Sequence, residues 1–369
     1  MVTASVFEVP NLRPMGRFCR SAAHLAGELP LLWGGSGIDG CFSGSELRLL
    51  LDVDFDRIEP WISAELNGAP ILRMPRNRGV QEVCLFRGMT PGVPKRVRIF
   101  KDVQPVSDDP RHRLRVRELR WEDGEFLPLP EPACRLEFVG DSLTSGEGVV
   151  GAVSETDWVP ALFSASRSWA KFTADRMNAE FRLISQSGWG VRSGWDNHPD
   201  HVLPGIYDKV CGPAVGQSNE AIGTQNPHDF DSWQPDAVII NLGTNDAGAM
   251  GGPPWHGKDG RSFQQTADRA GLALFEDAAV DFLKTLRCHN PAAKLVWVYG
   301  MIEGPLSPAL GPVLEEAVAR FRREAGDKNA HFLRLPAVRE ETMGSRQHPG
   351  VRCHEEAAQA AAEFLRTIL

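Results

Sequence analysis

The stretch "CRLEFVGDSLTSGEG", residues 134–148, climbs through an alternating run and then breaks, directly after Val139, into Gly140, Asp141 and Ser142. Alternation of apolar and polar residues predicts a strand, and a Gly-Asp-Ser sequence predicts a turn at its carboxyl end. A serine placed there has three readings: a helix N-cap, a phosphate-loop residue or a nucleophile. On the serine alone the cap is the commonest of these, so the rest of the chain has to decide.

Downstream, strand-like runs recur at 135–139, 181–185, 237–242, 295–299 and 331–335. Helical patterns alternate with them: "SRSWAKFTADRMNAE", with Trp169, Phe172 and Met177 on one side, "LFEDAAVDFLKTLRCHN" closed by Pro291, "PVLEEAVARFRREAG", and "HEEAAQAAAEFLRTIL". Short apolar strands alternating with helices predict an α/β fold, a mainly parallel sheet covered on both faces. Ligands of such sheets bind at the carboxyl ends of the strands.

Upstream the grammar differs. From 31 to 121 the chain reads as six or more short strands without a convincing helix, among them "WISAEL" and "APILRM" on either side of Asn67-Gly68. An Asn-Gly pair between alternating runs is a strong hairpin signal, and the whole predicts an all-β sandwich or jelly roll. "LPLPEP" at 127–132 removes three backbone donors and can continue neither strand nor helix. The expected domains are therefore 1–132, β-sandwich, and 133–369, α/β. A chain of 369 residues exceeds the size at which one core usually stops growing, which agrees with two.

The formal net charge of −8 argues against nucleic acid or an anionic membrane as partner. The N-terminus has no uninterrupted apolar stretch, so a soluble, cytoplasmic protein without an export signal is expected. Seven cysteines stand singly with no CxxC pair, which predicts reduced core thiols and neither a disulfide framework nor a zinc site.

Three of the predicted strands end in blocks that could bear chemistry: "GDSLTSGEG", "SQSGWG" with Gly188 and Gly190, and "NLGTNDAG" with Asn245. A fourth block, "HPGVRCHEEA" with His348 and His354, precedes the last helix. Each has a bland reading alone. Together they supply a hydroxyl, a glycine N–H, a side-chain amide and an imidazole, which are the parts acyl transfer needs.

In this order the four blocks resemble those of the SGNH (GDSL) hydrolases, and with a preceding β-domain the arrangement is similar to carbohydrate esterase family two. The resemblance implies a flavodoxin-like α/β/α sandwich behind an N-terminal jelly roll. It makes Ser142 the nucleophile, His348 the base, and the oxyanion hole the N–H of Ser142, the N–H of Gly188 and the side chain of Asn245. Gly188 is preferred to Gly190 because it directly follows a serine where the strand ends. The family's aspartate, three residues before the histidine, is here Ser345. A Ser–His dyad helped by a backbone carbonyl is therefore expected, with Glu340 and Glu341 as weaker candidates to orient the ring; His354 is the alternative histidine.

Other motifs carry less. "GEGVVG" and "GSGIDG" match GxGxxG without the strand-to-helix context of a dinucleotide site, and no GxSxG or Walker A occurs. His198, Asp200 and His201 lack a third clear ligand, so no metal and no cofactor are expected. The long loops at 190–233 and 246–263 contain or adjoin Trp189, Trp195 and Trp255, candidates for stacking on sugar rings. The expected activity is hydrolysis of short acyl, foremost acetyl, esters of carbohydrates, the partner being a small-molecule or oligosaccharide ester. The alternatives are an acylhydrolase for non-carbohydrate esters and a catalytically weak carbohydrate-binding protein.

Overall fold

A computed structural model describes residues 1–369, the side chain of Leu25 set aside, and divides them into two compact units. The second unit holds Ala133–Trp158, Arg167–Tyr207 and Phe230–Leu369. Its five strands, β1 (Cys134–Gly140), β2 (Ala179–Ser185), β3 (Ala237–Asn241), β4 (Lys294–Tyr299) and β5 (Ala330–Arg334), form one parallel sheet in the order β2-β1-β3-β4-β5. The helices are α1 (Ser142–Ser145), α2 (Trp169–Arg176), α3 (Thr244–Met250), α4 (Arg269–His289), α5 (Ser307–Ala325) and α6 (Val351–Ile368). Helix α2 packs on α6 and α4 on α5, the two helical layers of a doubly wound sheet.

Burial on both faces explains the absence of alternation in the inner strands. Every residue of β3 is buried, as is β4 from Leu295 to Tyr299. Glu137 of β1 is tolerated in this interior because it is bonded: it accepts the Tyr207 hydroxyl at 2.6 Å, and that hydroxyl oxygen accepts Asn290 Nδ2 at 3.0 Å. Helix α2 starts at a Ser168 cap and buries Trp169, Ala170, Thr173 and Ala174. Phe172 and Met177, expected on the buried side, are only half-buried. The helical period puts 169, 170, 173 and 174 on one stripe and Phe172 on its flank, under the Arg176 guanidinium.

The first unit holds Met1–Pro132 and two later segments, Val159–Ser166 and Asp208–Asp229. Two antiparallel sheets make it. One orders Val2–Ala4, Arg113–Trp121, Leu47–Asp54 and Gly79–Phe86; the other orders Phe126–Leu127, Gly37–Phe42, Lys95–Lys101, Trp61–Leu66 and Ala69–Pro75. Phe42 of the second sheet meets Phe86 and Trp121 of the first, with ring centroids 6.3 and 6.2 Å away, which joins the layers of a sandwich. Asn67 and Gly68 turn the last hairpin with φ of 53° and 83°. A short helix, Arg20–Ala26, precedes the sandwich and has no counterpart in the expected elements.

The later segments are bound to the first unit by polar ties. Buried Asp102 accepts the Ser166 N–H at 2.9 Å and the Ser164 hydroxyl at 3.0 Å, and Trp33 Nε1 donates to Val210 O at 2.8 Å. A single cut at residue 132 leaves these two segments out of account. Among the described residues all seven cysteines are free, but only Cys211 and Cys353 are buried, so core thiols account for two of them. No helix of the described residues is long and apolar enough to cross a membrane.

Phe138, fully buried on β1, meets Trp169 of α2 edge-on at 5.3 Å. Phe138→Ala is expected to lower the unfolding free energy by about 3–5 kcal/mol. Urea denaturation would register this as a lower midpoint with an unchanged slope.

Candidate active site

In the parallel sheet Gly140 lies opposite both Ser185 and Asn241, so the loops after β1, β2 and β3 leave from one row. The turn after β1 is tight. A Cβ on Gly140 would sit 2.2 Å from Thr144 Oγ1, so only glycine lets α1 begin so soon after the strand. The cap of α1 is Asp141, whose side chain accepts Leu143 N–H at 3.0 Å. Ser142 is thus the first helical residue and not the cap. Its N–H belongs to the first turn, where no intrahelical acceptor exists.

His348 reaches Ser142 from 206 residues away, its Nε2 lying 3.0 Å from Ser142 Oγ. The other ring nitrogen, Nδ1, lies 2.8 Å from the backbone oxygen of Arg346. A carbonyl only accepts, so in the neutral ring Nδ1 must carry the hydrogen and Nε2 must present its lone pair to the serine. Arg346 and Gln347 both have φ of 56°, and this left-handed turn brings the carbonyl under the ring. Ser345, at the place of the family's aspartate, points elsewhere: its hydroxyl donates to Val150 O at 2.9 Å. Glu340 and Glu341 are exposed, and Glu341 pairs with Arg339.

His354 is fully buried in the first turn of α6, and its Nδ1 accepts the Trp169 N–H at 2.9 Å. Burial, and to a lesser degree the neighbouring His348, pushes its pKa down to about 3. The ring is therefore a neutral structural acceptor.

Of the two glycines after β2, Gly190 donates its N–H to His201 O at 3.1 Å, and a Cβ there would lie 2.5 Å from Asp246 Oδ2. Gly188, at φ 80°, donates its N–H to no other backbone group among the described residues. Asn245, on the first turn of α3, donates from Nδ2 to Trp189 O at 2.9 Å and, more loosely, to Asp141 Oδ2 at 3.3 Å. Asp246 clasps the loop after β2 by accepting the N–H groups of Val191 and Arg192, both at 2.9 Å, and burial raises its pKa. Asp141 is also fully buried. Burial raises its pKa to about 7, opposed by the Leu143 N–H and assisted by the charges of Asp246 and Glu147.

The three tryptophans separate. Trp189 is 7% exposed and stacks on His201, whose ring stacks in turn on His198, leaving it little face to offer a ligand. Trp255 is half-buried against His198 and under the Arg261 guanidinium. Trp195 is 65% exposed, its backbone N–H donates to Gly188 O at 3.0 Å, and its indole lies beside that glycine. A backbone carbonyl beside the ring is expected from the sequence, but its assignment to Arg346 is not, since no side chain announces it; Glu147 is not singled out by the sequence at all. Glu147 is buried between two glycines shortly after Ser142, its only signal being a charge inside an otherwise small-residue turn.

A five-stranded parallel sheet with the Gly-Asp-Ser turn at the end of β1, between β2 and β3, is the SGNH hydrolase fold. Residues 138–356 match the model of the GDSL-like lipase/acylhydrolase family. An acetyl xylan esterase (Est2A) from the rumen bacterium Butyrivibrio proteoclasticus is 38% identical, with a TM-score of 0.94 over 99% of this chain and 98% of that one. A family two carbohydrate esterase from Clostridium thermocellum, solved with cellohexaose, shares the fold at a TM-score of 0.80 and 22% identity, over 96% of this chain and 98% of that one. The cellulase/esterase CelE of Acetivibrio thermocellus is 25% identical over 330 residues, covering 89% of this chain. The chain spans 36% of the length of CelE. The chain belongs to the GDSL-like lipase/acylhydrolase family, a class of carboxylic ester hydrolases.

His354→Ala removes the acceptor of a buried N–H and leaves a cavity, and is expected to cost roughly 2–4 kcal/mol of stability while the activity of the folded fraction is kept. Thermal melts set beside active-site-normalised rates would check it. Asp141 has a raised pKa, so the folded state holds its proton more tightly than the unfolded state does. Its contribution to stability therefore falls as pH rises from about 4 to about 7. In Asp141→Asn this slope should flatten, and the variant should gain on the parent at pH 8 by at most roughly 4 kcal/mol. Identical slopes in chemical denaturation across that range would contradict the assignment.

Proposed function

We propose that the protein is a serine esterase that removes short acyl groups, acetyl foremost, from carbohydrates through a Ser142–His348 dyad. The observation that carries this reading is the alignment Ser142 Oγ, His348 Nε2, His348 Nδ1, Arg346 O, with separations of 3.0 and 2.8 Å at its two hydrogen bonds. The similarity to Est2A supports acetylated xylan-type sugars as the substrate class.

In this mechanism Ser142 Oγ attacks the ester carbonyl as Nε2 takes its proton, and the Nδ1–H bond to Arg346 keeps the ring from turning. The oxyanion that develops meets the N–H groups of Ser142 and Gly188 and the Asn245 amide. The imidazolium then gives its Nε2 proton to the departing sugar oxygen, leaving an acetyl-Ser142 ester. Water, deprotonated by the same Nε2, attacks this ester; collapse releases acetate and returns the proton to Ser142. Trp195 offers its exposed face to the sugar ring, an apolar platform for the C–H side of a pyranose.

The test is acetate release from acetylated xylo- and gluco-oligosaccharides, beside p-nitrophenyl esters of rising acyl length. Ser142→Ala and His348→Ala should each lower kcat by roughly 10⁶, and Asn245→Ala by about 10²–10³. Preference for long acyl chains over acetyl would move the reading to a lipase-type acylhydrolase. Absence of release from any ester by the folded parent would move it to a binding protein.

A further inference from the structure

Two consecutive non-glycine residues in the left-handed region are disfavoured, so the turn at Arg346 and Gln347 has to be held from outside. The Arg346 side chain holds it. Its Nε donates to Glu147 Oε1 at 2.6 Å, its Nη1 donates to Thr156 O at 2.6 Å, and its backbone N–H donates to Glu155 O at 2.7 Å. Glu147 is buried, and its second oxygen accepts the hydroxyl of Ser187, the residue before Gly188. That oxygen also lies 3.9 Å from His348 Nε2. One carboxylate thus connects the block of the nucleophile, the loop of Gly188 and the loop of His348.

We propose that the Glu147–Arg346 ion pair is the positioning device of the catalytic histidine, holding the Arg346 carbonyl against Nδ1 where relatives of this fold use an aspartate. The inference rests on the dyad reading above. Neither side chain hydrogen-bonds the reacting atoms: Arg346 acts through the torsions at 346 and 347, and Glu147 acts through Arg346, with its second oxygen 3.9 Å from Nε2. The pair is charge-assisted and sheltered from water, which makes it stiffer than a surface ion pair of the same length. A carbonyl on an unheld loop would wander, and a displacement of about 1 Å in a catalytic group costs roughly 10²-fold in rate.

The test uses two readouts on the full chain. In protein labelled with ¹⁵N-histidine, the Nδ1–H proton resonance of His348, assigned by its loss in His348→Ala, reports the bond to Arg346 whatever the reaction. Steady-state kinetics give kcat and KM separately. In Glu147→Gln and in Arg346→Met the resonance should broaden or vanish and kcat should fall by roughly 10²-fold, with KM nearly unchanged. Arg346→Lys, which restores a charge pair, should recover part of both. The double variant Glu147→Gln/Arg346→Met leaves no unpaired charge behind and should lose no more than either single change, since the two residues act as one unit.

A resonance that survives in both single variants overturns the proposal, as does an unchanged kcat or a double variant whose losses add. Melting curves separate positioning from folding: a fall in kcat matched only by a loss of folded protein also counts against it. A parent without esterase activity on any ester would sink the preceding functional reading, whereas the resonance would still decide what holds the ring.

Discussion

In a parallel sheet every strand reaches the same edge in the same direction, and the register here sets Gly140 between Ser185 and Asn241. The three loops that follow must leave side by side within a small volume. Their polar groups have to satisfy one another or water, because the residues just beneath them, Phe138 and Val139 of β1, Leu183 and Ile184 of β2 and Ile239 and Ile240 of β3, are apolar and buried. Asp141 answers that demand by capping α1 while facing Asn245, and Asp246 answers it by clasping the loop after β2. The site is what this row of strand ends requires once a serine is placed first in α1.

Three buried carboxylates close to one another are costly unless donors compensate them. The compensation differs for each. Asp246 collects backbone N–H groups and the Gln265 amide, and Glu147 takes a guanidinium and a hydroxyl. Asp141 has a single short backbone donor and a long amide contact, and it is the one whose proton is held to about pH 7. Uneven compensation leaves the acid next to Ser142 in the chain as the least settled of the three.

The strands of the sheet were legible because burial on both faces writes itself as apolar runs, and the turn after β1 because Gly, Asp and Ser leave few other structures open. The Asn67-Gly68 hairpin was legible for the same reason, two positive φ angles needing two residues that accept them. Ser142, Asn245 and His348 could be grouped through a family pattern, since nothing local in the sequence joins groups so far apart in the chain. The segments 159–166 and 208–229 could not be assigned to the first unit, because their membership depends on long-range ties, such as those to Asp102, Trp33 and Arg115, that no local pattern announces. Trp189 and Trp195 look alike as letters, and only the packing of Trp189 against His201 separates them. The partner of Nδ1 had no signature at all, since every residue has a carbonyl and the torsion that aims this one falls on an arginine and a glutamine.

That last contact has a bearing on how such a site drifts over generations. An orienting aspartate is deleted by one codon change, and the loss is abrupt. A main-chain oxygen is beyond the reach of any codon: substitution at 346 changes what steers it and never removes it. The ring's anchor can therefore decay or improve by small rotations, which gives inheritance a graded control over the histidine where a side-chain anchor would offer an on-or-off one.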